Sequence, residues 1–179
     1  MADTEALTLP GDRTETAAQM IRVDHAGEYG AARIYAGQLA VMGNRTPVAA
    51  EIGRMKAQEQ RHLDTFSRLI VARGVRPTLM HPLWHVAGYA LGAATALLGP
   101  AAAMACTVAV ETEIDRHYQA QLDILGDRDP ELSGHIGDFQ AEEVEHRDTA
   151  GALGGGGYPI LSGLIRAGCR VAIAVTRRV

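Results

Sequence analysis

Lysine is nearly missing from this chain: Lys56 is the only one, and every other basic residue is arginine. Cysteine and aromatic residues are also scarce, with two of the former and 4% of the latter in 179 residues. Two thiols, at Cys106 and Cys169, are too few and too far apart for a disulfide framework or a cysteine zinc site. Cys106 sits in an apolar segment close to Glu111 and reads as a small buried hydrophobe. No stretch alternates apolar and polar residues with strand period, which argues against a sheet. A formal charge of −4 gives no electrostatic footprint for nucleic acid. The first ten residues are polar and acidic without an apolar core, so no secretory signal is expected and the chain is expected to begin in a cytosolic compartment. What the chain does contain is alanine and leucine within a 47% apolar composition, enough for one all-α domain with a sizeable core.

Against that plain background, six potential metal ligands recur in two matched sets. Glu28 is followed by Glu59-x-x-His62, and Glu111 by Glu143-x-x-His146. The offset from Glu28 to Glu111 matches that from Glu59 to Glu143 to within a single position. The repeat extends beyond the ligands: Glu28, Arg33, Tyr35, Gln38 and Leu39 coincide with Glu111, Arg116, Tyr118, Gln121 and Leu122. Self-similarity at a near-fixed offset predicts a duplicated helical hairpin. One Glu and one Glu-x-x-His per hairpin is the ligand recipe of carboxylate di-metal four-helix bundles.

Local signals place the elements. A first helix is expected from about Thr14 to Met42, ended by Gly43-Asn44. Thr46-Pro47 opens a second, running to Arg73 before Gly74. A third carries Glu111 and ends near Gly126. Asp129-Pro130 opens a fourth, which reaches about Ala150. Glu28 precedes the turn at Gly43 by about four helical turns, and Glu59 follows Thr46 by nearly the same span. At 1.5 Å per residue these are both roughly 20 Å, so the hairpin brings its ligands level. The second hairpin repeats this geometry, from Glu111 down to Gly126 and from Asp129 back to Glu143. The Glu-x-x-His spacing puts each Glu and His on one helix face.

Residues 1–13 are expected to be a mobile N-terminus. Residues 77–110 carry no Asp, Glu, Lys or Arg. Pro82 and Pro100 interrupt this run, and the segment between them makes roughly 25 Å of helix against a hydrocarbon core of about 30 Å. It is therefore expected to face the membrane from one side; a buried helix or a dimer contact through Gly88 and Gly92 are the other readings. After the glycines at 154–157, expected to be a flexible linker, residues 158–179 form a basic amphipathic C-terminal segment with a helix from Ile160 to about Val175. Arg166, Arg170, Arg177 and Arg178 on it suit anionic headgroups. An ordinary packing helix is the alternative.

Four carboxylates facing one another in a core would repel and take up protons unless cations neutralise them. Two divalent ions balance four Glu. Imidazole suits iron, and carboxylate suits iron or manganese. Tyr118 and Tyr35, two turns after Glu111 and Glu28, are candidates for a substrate cavity or for core packing. Asp24, one turn before Glu28, is a candidate to steady that ligand. Asp64 and Asp148 are expected in solvent, and His25, His81, His85 and His135 are expected not to be ligands, nor is His117.

Several segments resemble the demethoxyubiquinone hydroxylase family of ubiquinone biosynthesis. They are Ile21-Arg-Val-Asp-His-Ala-Gly-Glu28-Tyr-Gly-Ala, Arg33-Ile-Tyr-Ala-Gly-Gln38, Ala105-Cys-Thr-Val-Ala-Val-Glu111, Glu142-Glu143-Val-Glu-His146 and Ala167-Gly-Cys-Arg-Val-Ala-Ile173. The similarity spans roughly residues 18–179. It implies a ferritin-like four-helix bundle with two extra apolar or amphipathic helices for membrane association. It also implies two iron ions per chain, less readily manganese, on Glu28, Glu59, His62, Glu111, Glu143 and His146. The implied reaction is hydroxylation of a polyprenylated methoxy-methyl-benzoquinol by O2 with an external reductant such as NADH. His117 and Tyr118 match a His-Tyr pair that the resemblance places near substrate. The implied partners are the quinone, the membrane surface and other ubiquinone-biosynthesis proteins, and the implied location is the cytoplasmic face of a bacterial inner membrane. A ferritin-like iron store or ferroxidase and a dimanganese catalase share the ligand pattern and remain the alternatives.

Overall fold

A computed structural model describes residues 16–44 and 46–179. The expected mobile stretch at 1–13 lies outside the described residues. Six α-helices make up most of the described chain: α1 (Ala17–Met42), α2 (Pro47–Ala72), α3 (His81–Leu97), α4 (Pro100–Leu125), α5 (Pro130–Ala152) and α6 (Pro159–Thr176). No strand occurs among the described residues.

The helix ends follow local chemistry. Thr16 and Gln19 form a reciprocal capping box, the Gln19 N–H donating to Thr16 Oγ1 at 3.2 Å and the Thr16 N–H to Gln19 Oε1 at 2.9 Å. This cap starts α1 at Ala17, slightly later than the sequence suggests. Thr46 and Asp129 cap α2 and α5 by accepting from Ala49 N at 3.1 Å and Leu132 N at 3.1 Å, each ahead of a proline. Pro82 and Pro100 break nothing, because both stand in the first turn of a helix, where no intrahelical N–H is required. Between α3 and α4 the chain turns at Gly99, whose φ of 112° excludes most side chains. α5 continues past Ala150 to Ala152.

α1, α2, α4 and α5 form the bundle. α1 and α4 run antiparallel, as shown by Tyr35 meeting Glu111 and Tyr118 meeting Glu28. α2 and α4 therefore run the same way, and α3 carries the chain back between them along the outside of α1. α6 occupies the matching place on the outside of α4. The duplication is thus of three helices, α1–α3 and α4–α6, one more per half than the sequence repeat reveals.

α3 lies on α1 at backbone contact distance. A Cβ at Gly92 would fall 1.9 Å from the Ile34 carbonyl oxygen, and one at Gly37 would fall 2.1 Å from that of Tyr89. Gly88 and Gly92 therefore serve contact within the chain, not a dimer face. α3 is not a buried helix either: only Gly92, Thr95 and Ala96 are buried, while Leu83, Val86 and Leu97 are exposed. α6 is similar, with Ile160, Leu164 and Val171 exposed on its outer side. It is the one described helix long and apolar enough to cross a membrane, by length and composition alone.

The tail differs from its expected form in two places. Arg166 and Arg170 turn inward, to Glu113 Oε1 at 2.6 and 3.0 Å, because that carboxylate is buried on α4 and needs cations. The glycine segment is not a loose linker: Gly155 is buried, and a Cβ there would lie 2.7 Å from Val108 Cγ2 and 2.9 Å from the Met104 and Ala150 carbonyl oxygens.

Two apolar layers bracket the middle of the bundle. One contains Met20, Ile21, Phe66, Leu125, Leu132 and Ile136. The other contains Tyr35, Ile52, Met55, Met104 and Ala150. The polar residues between them are cut off from water at both ends.

Candidate metal centre

All six sequence-derived ligands converge between those layers, each no more than 1% exposed. They form two groups whose ligand atoms lie within 4.8 Å of one another. One is Glu28, Glu59, His62 and Glu143; the other is Glu59, Glu111, Glu143 and His146. Glu59 and Glu143 belong to both. The carboxylates of the two Glu-x-x-His motifs would therefore be shared between two ions, and Glu28 and Glu111 would each serve one. His62 Nδ1 lies 3.1 Å from Glu28 and 3.0 Å from Glu143. His146 Nδ1 lies 2.9 Å from Glu143 and 3.3 Å from Glu59.

The cluster is electrostatically unstable as bare protein. Burial, and then the neighbouring carboxylates led by Glu143, push the Glu59 and Glu111 carboxyls well above the usual 4.5. Glu143 is lowered, since hydrogen bonds from His146 and His62 outweigh its burial. His62 is raised to about 10: burial opposes its proton, but hydrogen bonds to Glu143 and Glu28 hold it. Both oxygens of Glu59 and Oε2 of Glu111 are buried without a hydrogen-bond donor. Such orphaned acceptors beside imidazole nitrogens are what a pair of cations would satisfy, so the residues present fit a di-metal centre.

A second ring of residues orients the ligands, and each half serves the other. Tyr35 OH donates to Glu111 Oε1 at 2.7 Å, and Tyr118 OH donates to Glu28 Oε1. The outward nitrogens are held likewise: His62 Nε2 lies 3.2 Å from Glu142 Oε2 and His146 Nε2 lies 3.0 Å from Gln58 Oε1. These partners accept, which favours the proton on Nε2 and leaves Nδ1 free to face a metal. Gln58 Nε2 joins the two by donating to Glu142 Oε2 at 2.9 Å, and Arg61 adds a bond to Glu142 at 2.8 Å. Gln58 and Glu142 are absent from the sequence-derived set. Their signal was available, since each directly precedes a motif Glu at equivalent positions of the repeat.

The remaining candidates fall elsewhere. Tyr118 donates to Glu28 from α4, and Asp24 lies one turn away in a second polar group. Asp24 Oδ1 accepts from Gln121 Nε2 at 2.8 Å and lies 3.3 Å from His117 Nε2. His117 is nearly buried, belongs to neither ligand group, and meets Arg177 at the end of α6 through Nδ1 at 3.4 Å. His25, His81 and His85 cluster with Tyr29 at the α1–α3 surface, and His135 stacks on Phe139. Asp64 and Asp148 do not join the buried cluster. Burial pushes the Cys106 thiol up to about 12, and both cysteines are free.

Beside this centre, a cleft of about 500 Å³ opens between α1, α3, α4 and α6. Its walls include Ala26, Ile34, Trp84, Leu91, Ile114 and Ile165. One end is tied by Trp84 Nε1 donating to Thr176 Oγ1 at 3.2 Å and by the Leu79 N–H donating to the Val179 carbonyl at 3.2 Å.

A four-helix bundle with Glu and Glu-x-x-His on each of two hairpins defines a ferritin-like protein, and its buried donor set fits metal binding. Within that class the chain is specific: residues 15–176 match the family model described as "Ubiquinone biosynthesis protein COQ7", and the chain belongs to that family. The 3-demethoxyubiquinol 3-hydroxylase of Rhodospirillum rubrum is 53% identical over 176 residues, covering 96% of this chain and 83% of that protein. The mitochondrial NADPH-dependent 3-demethoxyubiquinone 3-hydroxylase of Mus musculus is 50% identical, with 96% and 82% covered. The mitochondrial 5-demethoxyubiquinone hydroxylase of Saccharomyces cerevisiae is 41% identical, with 90% and 77% covered.

Proposed function

We propose that this chain is a di-iron monooxygenase that hydroxylates the ring of a polyprenyl methoxy-methyl-benzoquinol, demethoxyubiquinol, in ubiquinone biosynthesis. The observation that carries this is the pairing of six buried ligands, two of them shared, with an apolar cleft on the neighbouring helices. The names of the relatives support the reaction and a quinone substrate. Iron bound on Glu28, Glu59, His62, Glu111, Glu143 and His146 would supply the oxygen-activating redox chemistry. The protein's own part is positional. Glu142 and Gln58 hold the histidines by their outer nitrogens, and Tyr35 and Tyr118 hold Glu111 and Glu28. The two apolar layers keep bulk water out. Tyr118, whose hydroxyl donates to Glu28, and His117, which meets Asp24 and Gln121, are the residues of α4 proposed to act near substrate. The reductant is a reduced nicotinamide, NADH or the NADPH named for the mammalian relatives.

An isoprenoid substrate is insoluble in water, so the exposed apolar residues of α3 and α6 fit a peripheral, monotopic seat on a membrane, for a bacterial chain the cytoplasmic face of the inner membrane. Other ubiquinone-biosynthesis proteins are the natural neighbours there. Lipid extracts of cells lacking the protein test the assignment: demethoxyubiquinone should accumulate. Normal ubiquinone without that precursor would contradict it. Rapid oxygen release from peroxide without reductant, or assembly into a large hollow cage, would instead favour the catalase or the iron store.

A further inference from the structure

The helices contain two kinds of glycine. Gly37, Gly88 and Gly92 are required by close helix contact, since a Cβ at any of them would come within about 3 Å of a carbonyl oxygen. Gly27, Gly30 and Gly168 are different: a Cβ at each would meet nothing within 4 Å. Each lies inside a helix, where glycine weakens the structure relative to alanine. Neither packing nor backbone geometry asks for glycine at these places, as all three have ordinary negative φ. All three line the cleft, Gly27 and Gly30 from α1 and Gly168 from α6.

We propose that these three glycines set the width of the cleft and so act as specificity-determining residues for the quinol, a reading that rests on the activity proposed above. The rest of the wall carries branched side chains such as Val23, Ile34, Leu161 and Ile173. Missing side chains on two different helices leave a slot suited to a flat ring. Gly27 directly precedes Glu28, so the slot lies against the turn of α1 that carries a ligand. The isoprenoid tail then leaves past the exposed Leu164, away from the end tied by Trp84 and Thr176. A cleft of about 500 Å³ holds a ring and the first part of a tail, within the usual range for small-molecule sites, and it does not measure the length of the remainder.

Trp84 is the only tryptophan and lines the cleft, so its fluorescence reports occupancy without turnover. The iron-loaded protein in detergent micelles is titrated with a benzoquinone bearing a short alkyl tail, which quenches tryptophan on contact. Gly30→Leu and Gly168→Leu are expected to weaken half-quenching by about tenfold or more, the scale of a misfit in an apolar pocket. Gly134→Leu on α5 is the control, because its Cβ also meets nothing within 4 Å but it does not line the cleft. Gly30→Ala adds a single carbon in open space and keeps the test available if the leucine variant does not fold; it is expected to shift half-quenching the same way with circular dichroism and iron content unchanged. Equal quenching in wild type and variants, or no quenching in the wild type, overturns the assignment. Hydroxylation by the wild type is measured in parallel. An active wild type with unaffected variants sinks only the glycine proposal, whereas an inactive one sinks the reading beneath it.

Discussion

Glu143 touches both histidines and belongs to both candidate ligand groups, and among the described residues it links the two groups most directly. Glu143→Ala should lower bound iron and abolish turnover; elemental analysis showing a full complement would contradict its role. The tyrosines act one step out. Tyr118→Phe removes the donor to Glu28 while keeping the ring, and should cost about 10- to 100-fold in iron affinity or activity, as losses around a metal ligand do. Equal kinetics and iron content in the variant would assign Tyr118 to packing alone. The protonation of the bare centre gives a third expectation. His62, raised to about 10 from 6.5, and Glu59 and Glu111, raised above 4.5, hold protons in the folded metal-free chain that the unfolded chain releases. Stability from His62 is whole below about 6.5 and is lost as pH rises through about 10, and that of the two carboxyls is lost as pH rises above 4.5. Thermal melts should therefore show the metal-free protein weakening from neutral to alkaline pH. The iron-loaded protein, with these protons already displaced, should lack that slope. Parallel pH profiles for the two forms would refute the account.

Helix placement decides what the residues can reach. α3 touches α1 backbone to backbone, so Gly92→Ala must push it away from Ile34. Overpacking of this kind costs about 1–3 kcal/mol, and urea unfolding should show it as a lower midpoint. α6 is held by charge as well as by Ile165: Glu113 is buried and Arg166 and Arg170 neutralise it. Replacing both arginines with alanine leaves that carboxylate without these partners. The loss should approach the low end of about 3–5 kcal/mol, because Arg170 is half exposed and partly screened. Limited proteolysis would then cut at residues 154–157, where Gly155 is now packed on α4; continued resistance would mean that apolar contacts alone dock α6.

At the scale of the molecule, α3 and α6 lie on the outside of α1 and α4, and both border the cleft. Because Arg166 and Arg170 are engaged with Glu113, the proposed membrane seat is expected to rest mainly on the exposed Leu83, Val86, Leu164 and Val171. Vesicle flotation should accordingly show binding that depends little on salt or anionic lipid. Leu164→Asp with Val171→Asp should reduce it strongly. Binding that vanishes in high salt would restore the electrostatic reading of the tail.

Much of this protein was written in local pattern. Two Glu-x-x-His motifs, their partner glutamates, the capped hairpins and the near-fixed offset determined an all-α bundle with six candidate ligands brought level, because helical spacing and helix length are set within one or two turns of chain. Which carboxylates are shared, and that Tyr35 and Tyr118 each serve the opposite half, came only from the tertiary structure. So did the inward turn of Arg166 and Arg170, the packing of Gly155 and the cleft itself. Contacts of that kind join positions far apart in the chain, as Tyr35 with Glu111 and Glu113 with Arg166. They depend on how six helices settle against one another, and no periodicity within one helix encodes the angle or the neighbour.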